Sequence, residues 1–163
     1  MHPIKNSTIE IFTDGSFHPQ TRIGAWVAIL FIDDKKVTLS DIENDTTNNR
    51  MELTAVIKAI EFVKQKHQTN KVLNIISDSQ YVIGLIGRQE KFAKLNFKTI
   101  NGRDIRNVDL VKHFLNLNSE MNIHFTKIKA HQQQTSVTNY NIKADILARH
   151  LLREAVAKTN FEQ

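Results

Sequence analysis

Short apolar runs separated by polar turns fill the first quarter of the chain, and they predict three β-strands. Thr8–Phe12 is the first strand, and the nearly unbroken apolar run Ile23–Ile32 is a second strand that should be buried on both faces. A polar turn, Asp33–Lys36, leads to a third strand that begins at Val37. The second and third strands are therefore expected to pair as a hairpin.

The pattern then changes to alternating helices and strands. The helix predicted over Asn49–Lys66 carries an apolar stripe at spacings of three and four: Leu53, Val56, Ile57, Ile60 and Val63. The later segments are a strand, two helices, a strand and a closing helix: Val72–Ile76, a helix from Ser79, Val108–Leu117, Asn122–Lys129 and Asn141–Lys158. Strands that first follow one another and then alternate with helices predict an α/β domain with a mixed sheet.

Four acidic residues each lie in a distinctive local setting. Asp14 follows the apolar end of the first strand, and Asp78 follows the fourth strand directly. Glu52 lies where a polar loop becomes a helix, and Asp145 lies early in the last helix. In α/β folds, ligands bind at the edge where strands end. Carboxylates that converge there without basic partners repel one another, and hard divalent cations relieve that repulsion best.

Each of these residues also has an ordinary structural interpretation. Asp14 suits a turn, and Asp78 suits the N-cap of the helix that follows it. Glu52 lies three residues after Asn49, a spacing typical of a capping box with Asn49 as N-cap. Asp145 suits an exposed helical position. The functional interpretation depends on the set of four and not on any one member.

The segments around these residues resemble the motifs of type 1 ribonuclease H. Four segments match in the family's order and extend over nearly the whole chain: Thr13–Ser16, Thr47–Leu53, Ser77–Val82 and Asn141–Arg149. His131 lies where the family has a loop histidine, although Ala130 replaces a usual glycine and the following loop is longer than usual. The implied architecture is the RNase H-like fold. It is a five-stranded mixed sheet, with three antiparallel strands and then parallel strands, flanked by helices.

The resemblance implies hydrolysis of the RNA strand of an RNA/DNA hybrid with two Mg²⁺ ions, for which Mn²⁺ can substitute, leaving 5′-phosphate and 3′-hydroxyl ends. By the same resemblance, Asp14 would bridge both metal ions and Asp145 would hold the ion that activates water. Glu52 and Asp78 would hold the ion at the leaving group. His131 would assist proton transfer or product release.

A substrate surface is implied as well, reading the minor groove and backbone largely independently of sequence. Its members are Gly15 and Ser16 near the RNA 2′-hydroxyl, Asn48, Asn49 and Gln80 at base edges, Thr47 and Asn107 at a DNA-strand phosphate, and Lys91, Lys94 and Lys98 in a basic handle. Asp45 stands where a basic residue normally completes the phosphate pocket. That pocket is therefore expected to be weak or to be rebuilt by another residue.

The basic handle, residues 88–106, interleaves lysines and arginines with Phe92, Leu95 and Phe97. Tryptophans are usual at these apolar positions in the family members that have such a handle. Basic residues with interleaved aromatic rings favour a nucleic-acid surface. The alternative is a solvated amphipathic helix whose aromatic rings pack inward.

Length and composition limit the number of domains, the type of partner and the location that we expect for the protein. The 163 residues suggest one domain, 1–163, with a core of about 8–158. A formal net charge of +5 fits a nucleic-acid partner, and the absence of cysteine excludes disulfide scaffolds and thiolate sites. Apolar runs are too short to span a membrane, and the start lacks a signal-peptide core. We therefore expect a monomeric cytoplasmic protein with no membrane partner.

Three other functions compete with the predicted hydrolysis of RNA/DNA hybrids. Another nuclease or a transposase-like member of the same fold is disfavoured by the asparagine-rich second motif and by Gln80. A non-catalytic hybrid-binding protein should lack at least one carboxylate, and all four are present. The ribonuclease portion of a reverse transcriptase is disfavoured by the start at Met1 and by the length.

Overall fold

The computed structural model describes residues 8–66, 70–128 and 136–161, with side chains in the last segment described from 140 to 160. The strands are β1 (Thr8–His18), β2 (Ile23–Ile32), β3 (Lys35–Glu43), β4 (Val72–Ser77) and β5 (Asn122–Lys127). The helices are α1 (Asn48–Gln65), α2 (Gln80–Gly87), α3 (Gln89–Lys94), α4 (Val108–Glu120) and α5 (Ser136–Phe161).

The strands form one mixed sheet in the order β3-β2-β1-β4-β5. β1, β2 and β3 pair antiparallel, whereas β4 pairs parallel to both β1 and β5. The predicted hairpin between β2 and β3 is confirmed. Its two turn residues, Asp33 and Asp34, have φ values of 50° and 65°, which match the twist of a two-residue hairpin loop. The predicted five-stranded RNase H-like architecture is confirmed by this sheet.

Helices cover both faces of the sheet. Alternate residues of β2 point in opposite directions, so Ala28 and Leu30 pack with the apolar stripe of α1, while Val27 and Ile29 pack towards Ala144 of α5. Burial of each large aliphatic side chain in such a core stabilises the fold by about 1.5–3 kcal/mol. No helix within the described residues is both long enough and apolar enough to cross a bilayer.

The end of β1 differs from the prediction, which placed it at Phe12. Pairing with β4 does stop there, at Phe12 opposite Ile76, but pairing with β2 continues to His18 opposite Ile23. Asp14 therefore lies inside β1 and not after it. The ladder to β2 holds these polar residues extended, and beyond Phe12 the opposite edge of β1 has no partner strand among the described residues.

The start of α5 also differs. The helix begins at Ser136 and not at Asn141, so Asp145 lies nine residues into it and not early in its first turn. Asp145 is therefore beyond the reach of the helix N-terminus. It lies beside the packed face of α5, because its neighbour Ala144 and Ala148 on the same helix are buried against the sheet.

Candidate active site

Three carboxylates from three different elements meet at one end of the sheet. Asp14, Glu52 and Asp78 each offer an oxygen, and these oxygens all lie within 4.8 Å of one another. The parallel register between β1 and β4 explains why Asp14 and Asp78 lie close together. Because Phe12 lies opposite Ile76, the residues two positions further along lie side by side: Asp14 within β1, and Asp78 directly after the end of β4.

Gly15 explains how Glu52 joins them. A β-carbon at Gly15 would lie 2.7 Å from the backbone nitrogen of Glu52 and 2.9 Å from the carbonyl carbon of Met51, too close for any other residue. The absence of a side chain therefore lets α1 press its backbone against β1. This contact holds Glu52 next to Asp14.

Asp145 approaches the same cluster from α5. It is not one of the three residues whose oxygens meet within 4.8 Å, but it raises the pKa of Asp14 through a hydrogen bond and its negative charge. Its Oδ1 accepts a hydrogen bond of 3.1 Å from Nε of Arg149, one turn further along the helix. The structure thus brings all four predicted carboxylates to one region, with Asp145 at its margin.

Burial and mutual repulsion favour the protonated forms of the inner carboxylates. Asp14 is 6% exposed and Glu52 is 8% exposed. Burial, followed by the charge of Asp78, raises the pKa of Asp14 from 3.8 to about 8. Burial, followed by the charge of Asp14, raises the pKa of Glu52 from 4.5 to about 9. No residue of the described ranges forms an ion pair with Asp14, Glu52 or Asp78.

The capping roles considered from sequence belong to other residues. Thr47 is the N-cap of α1, where its hydroxyl accepts a hydrogen bond of 3.2 Å from the Arg50 amide. The alternative interpretation of Glu52, a capping box with Asn49 as N-cap, is therefore wrong. Ser79 caps α2 in the same way. Glu52 and Asp78 are thus not used as caps.

The donor set fits a hard divalent cation. All the converging groups are carboxylate oxygens, which Mg²⁺ and similar ions prefer. Oε2 of Glu52 is buried and has no hydrogen-bond partner among the described residues. A buried, unpaired carboxylate oxygen is costly unless a ligand satisfies it. The cluster is therefore compatible with a bound cation that would offset its charge.

Comparison with known proteins identifies the relationship. The family model for RNase H matches residues 6–153. The chain belongs to the RNase H family. A protein named Ribonuclease H from Caldicellulosiruptor saccharolyticus is 32% identical over 148 residues, covering 90% of this chain and 97% of the relative. Proteins of the same name from Chlorobium luteolum and Ehrlichia chaffeensis are 34% and 37% identical, over 90% and 86% of this chain and 96% and 92% of the relatives.

The predicted family is thereby confirmed. This RNase H family member has the fold and the enzyme class that the motifs indicated, and its family implies dependence on a divalent metal. The acidic cluster is compatible with that dependence.

A cavity lies at the N-terminus of α1, where the family resemblance implied a phosphate pocket. Its volume is about 480 Å³, and it is lined by Phe17, Thr47, Asn48, Asn49, Arg106 and Asn107. Arg106 was predicted as part of the basic handle and not as a residue of this pocket. Its position directly before Asn107 in the sequence was the signal that could have identified it.

Asp45, which was expected to weaken this pocket, does not line it. Its carboxylate accepts a hydrogen bond of 2.8 Å from Nε of Arg22, so an arginine offsets its charge. The backbone strengthens this link, because the Thr46 amide donates to the Arg22 carbonyl oxygen at 3.0 Å. The cation that lines the cavity is Arg106, which is exposed.

Asn107 is held in place by a network. Its side-chain amide donates to the Tyr81 hydroxyl at 3.0 Å, and its Oδ1 accepts from Arg50 at 3.4 Å. Arg50 in turn makes two hydrogen bonds to Asp109, of 3.1 and 3.0 Å. The predicted phosphate-binding asparagine is thus fixed before any substrate arrives.

The lysines of the basic handle lie in different settings. Lys91 and Lys94 are exposed on α3, whereas Lys98 is paired with Asp104 at 2.5 Å. The aromatic rings, however, pack inward. Phe92 is buried in the core and stacks on Phe97 with ring centroids 5.9 Å apart. The inward-packing alternative is therefore correct for these rings, and they offer no stacking surface for bases.

The remaining predicted residues fall into two groups. Gly15 and Ser16 are half-buried on β1, and Asn48, Asn49 and Gln80 are exposed at the starts of α1 and α2. Each of these five residues lies within four positions of Asp14, Glu52 or Asp78 in the sequence. His131 and the loop that contains it lie outside the described residues.

Proposed function

We propose that this protein hydrolyses the RNA strand of RNA/DNA hybrids at the cluster of Asp14, Glu52, Asp78 and Asp145. The observation that carries this proposal is the meeting of three carboxylate oxygens within 4.8 Å, without ion-pair partners among the described residues, in a chain of the RNase H family. A phosphodiester is itself an anion. A site that holds it beside four carboxylates must therefore contain cations.

The four carboxylates would hold two divalent cations, Mg²⁺ or Mn²⁺. When bound, these ions supply activation of a water and stabilisation of the leaving 3′-oxygen, which corresponds to 5′-phosphate and 3′-hydroxyl products. Asp14 would hold the cations from β1, Glu52 from α1 and Asp78 from the turn between β4 and α2, while Asp145 would complete the site from α5. His131, as a proton-transfer or product-release residue, stays a prediction.

Hybrid recognition is assigned to the polar residues around the cluster. Asn48, Asn49 and Gln80 carry amides suited to the minor-groove edges of bases, and Gly15 and Ser16 lie where a ribose 2′-hydroxyl would identify the RNA strand. In the cavity at the start of α1, Thr47, Asn107 and Arg106 would hold a phosphate of the DNA strand. Lys91 and Lys94 extend the positive surface.

The organisation follows from the same proposal. One domain spanning 1–163, acting as a monomer, carries both the acidic cluster and the substrate surface. Cytoplasmic location stays a prediction.

Cleavage of one labelled RNA strand tests the proposal. The strand is presented in an RNA/DNA hybrid, alone, and in an RNA duplex, with Mg²⁺ and with chelator. We expect cutting only of the hybrid and only with the metal ion. Asp14→Asn should abolish it, whereas Asp34→Asn, a matched change in the exposed β2–β3 turn, should leave it intact. Tight hybrid binding without cutting in Mg²⁺ or Mn²⁺ would instead identify a binding protein.

A further inference from the structure

A groove of about 460 Å³ lies between the end of β1 and the C-terminal half of α5. Ser16 and His18 line it from the strand, and Arg149, Leu152, Arg153 and Val156 are among the residues that line it from the helix. The groove exists because β4 stops pairing with β1 at Phe12, which leaves the rest of that strand edge uncovered by β4. None of these residues belongs to the cavity at the start of α1.

Both walls of the groove begin at the acidic cluster. On β1, Asp14 and Ser16 are two residues apart and therefore project from the same face of the strand. On α5, Asp145, Arg149 and Arg153 recur at intervals of four and form one stripe. Arg149 joins the two sites directly, since its Nε donates to Asp145. A chain lying across the carboxylates can thus continue into the groove.

The groove presents hydrogen-bond donors and no carboxylate. Nδ1 of His18 accepts a hydrogen bond from the Thr21 amide at 3.3 Å and lies 2.8 Å from the Thr21 hydroxyl oxygen, so Nε2 is the ring nitrogen that remains to donate to a ligand. Arg153 is exposed and forms no ion pair with any described residue. Arg149 is 62% exposed, and its two terminal nitrogens have no partner among the described residues. This chemistry suits an anion with several acceptor oxygens.

The floor of the groove is apolar. Leu152 is buried and Val156 half-buried along the same helix, and both line the groove. A free inorganic ion would make no use of such a floor, whereas a sugar attached to a phosphate would. The volume is also within the range of about 300–1,000 Å³ that is usual for small-molecule sites. The best-matched occupant is one nucleotide unit of a strand.

We propose that this groove binds a phosphodiester of the RNA strand beyond the bond that is cut, with Arg153 as its specific cation. The inference rests on the proposed function for the strand's identity, because the groove continues from the carboxylates that would cut RNA. Arg153 touches no catalytic carboxylate in the structure, so its contribution is to positioning and affinity. It defines a second phosphate contact, separate from the cavity that contains Arg106.

Hybrid binding measured in chelator tests the groove without relying on cleavage. The Kd of a labelled hybrid is followed by fluorescence anisotropy over a range of salt concentrations. We expect Arg153→Ala to raise the Kd about threefold to tenfold and to reduce the slope of log Kd against log salt by about one. Arg153→Glu should weaken binding further. Lys158→Ala, an exposed cation on the same helix outside the groove, is the matched control.

Shortening the RNA strand locates the contact. Hybrids with a constant DNA strand are made with RNA shortened by one nucleotide at a time from either end. The wild-type protein should lose affinity in one step, when the phosphate bound in the groove is removed. Arg153→Ala should show no loss at that step, because the contact is already absent. A uniform loss at every length would mean general electrostatic attraction and would overturn the assignment.

The two proposals fail in different ways. If Arg153→Ala and Arg153→Glu bind hybrids as Lys158→Ala does, the groove plays no part, even if the protein cuts RNA normally. If the stepwise effect is present and the wild-type protein cuts nothing in Mg²⁺ or Mn²⁺, the groove assignment stands and hydrolysis is refuted. Thermal unfolding of each variant confirms that the fold is retained.

Discussion

Two groups of carboxylates in this protein are treated in opposite ways. Around the start of α1, Asp45 is paired with Arg22 and Asp109 with Arg50. In the acidic cluster, Asp14 and Glu52 are more deeply buried and have no cationic partner among the described residues.

Their pKa values follow this difference. Hydrogen bonding to Arg50 lowers the pKa of Asp109, whereas burial raises those of Asp14 and Glu52. Charges that serve only the fold are balanced within the protein. Charges left unbalanced mark the place where a ligand must supply the balance. Substitutions in the paired carboxylates should therefore have different consequences from substitutions in the unpaired cluster.

The largest expected effect is on turnover. Glu52→Gln keeps the shape of the side chain but removes the charge that would hold a cation, so kcat should fall at least about 100-fold. Glu61→Gln makes the same change on the same helix, at a residue bonded to His113 outside the cluster. That control should retain cleavage within about twofold. Steady-state rates on one hybrid measure both, and a Glu52→Gln enzyme of normal kcat would remove Glu52 from the site.

The next effect is on stability without metal. Because the folded-state pKa of Asp14 is raised, its favourable contribution is present below pH 4 and is lost as the pH rises towards 8. Chelated wild-type protein should therefore lose stability over this interval. Asp14→Asn should lose less and be more stable at pH 8 by about 1–3 kcal/mol.

Urea unfolding in chelator at pH 5 and pH 8 measures this difference. Adding Mg²⁺ at pH 8 should raise the Tm of the wild-type protein more than that of Asp14→Asn, because binding to the folded state stabilises it. If the stability of the two proteins depends equally on pH, ionisation of Asp14 does not destabilise the metal-free fold. The Asp34→Asn change, in the exposed turn, should leave both the pH dependence and the Mg²⁺ response unchanged.

A smaller effect is expected at the cavity that contains Arg106. Arg106→Ala should raise the KM for hybrids about threefold to tenfold, with kcat nearly unchanged, because a phosphate contact contributes mainly to binding. Arg103→Ala removes an exposed arginine from the same loop but outside the cavity and serves as the control. If both variants have the same KM, Arg106 acts only through general charge.

Local pattern predicted most of the fold. The apolar stripe of α1 and the two-residue turn between β2 and β3 follow from sequence periods and turn chemistry that act over a few residues. The extension of β1 to His18 could not be predicted in this way. Residues 13–18 are mostly polar, and only pairing with a distant strand keeps them extended.

The site, like the fold, could be predicted where local sequence decides and not where distant segments meet. The four carboxylates were found from motifs, but their convergence depends on the register between Phe12 and Ile76 and on the contact allowed by Gly15. Arg106 was predicted only as part of the basic handle, and Arg153 was not predicted as a site residue. The position of Arg106 beside Asn107 was visible in the sequence, whereas the walls beside Arg153 come from β1 and α5, which only tertiary structure brings together.

The smallest effect should come from the balanced group. Asp109→Asn removes the partner of Arg50, but the Asp109 side chain is 64% exposed and solvent screens the pair, so the loss of stability at pH 7 should be about 1 kcal/mol or less. The sign with pH is opposite to that of Asp14. Since the pKa of Asp109 is lowered, its contribution is present above the ordinary value of 3.8 and disappears as the pH falls below it.

Urea unfolding of wild type and Asp109→Asn at pH 3 and pH 7, in low and high salt, checks this. The two proteins should differ at pH 7 in low salt and converge both at pH 3 and in high salt. A difference that persists in high salt would show that Asp109 acts through the geometry of Arg50 and Asn107 and not through charge. In that case Asp109→Asn should also raise the KM for hybrids, because Asn107 lines the cavity with Arg106.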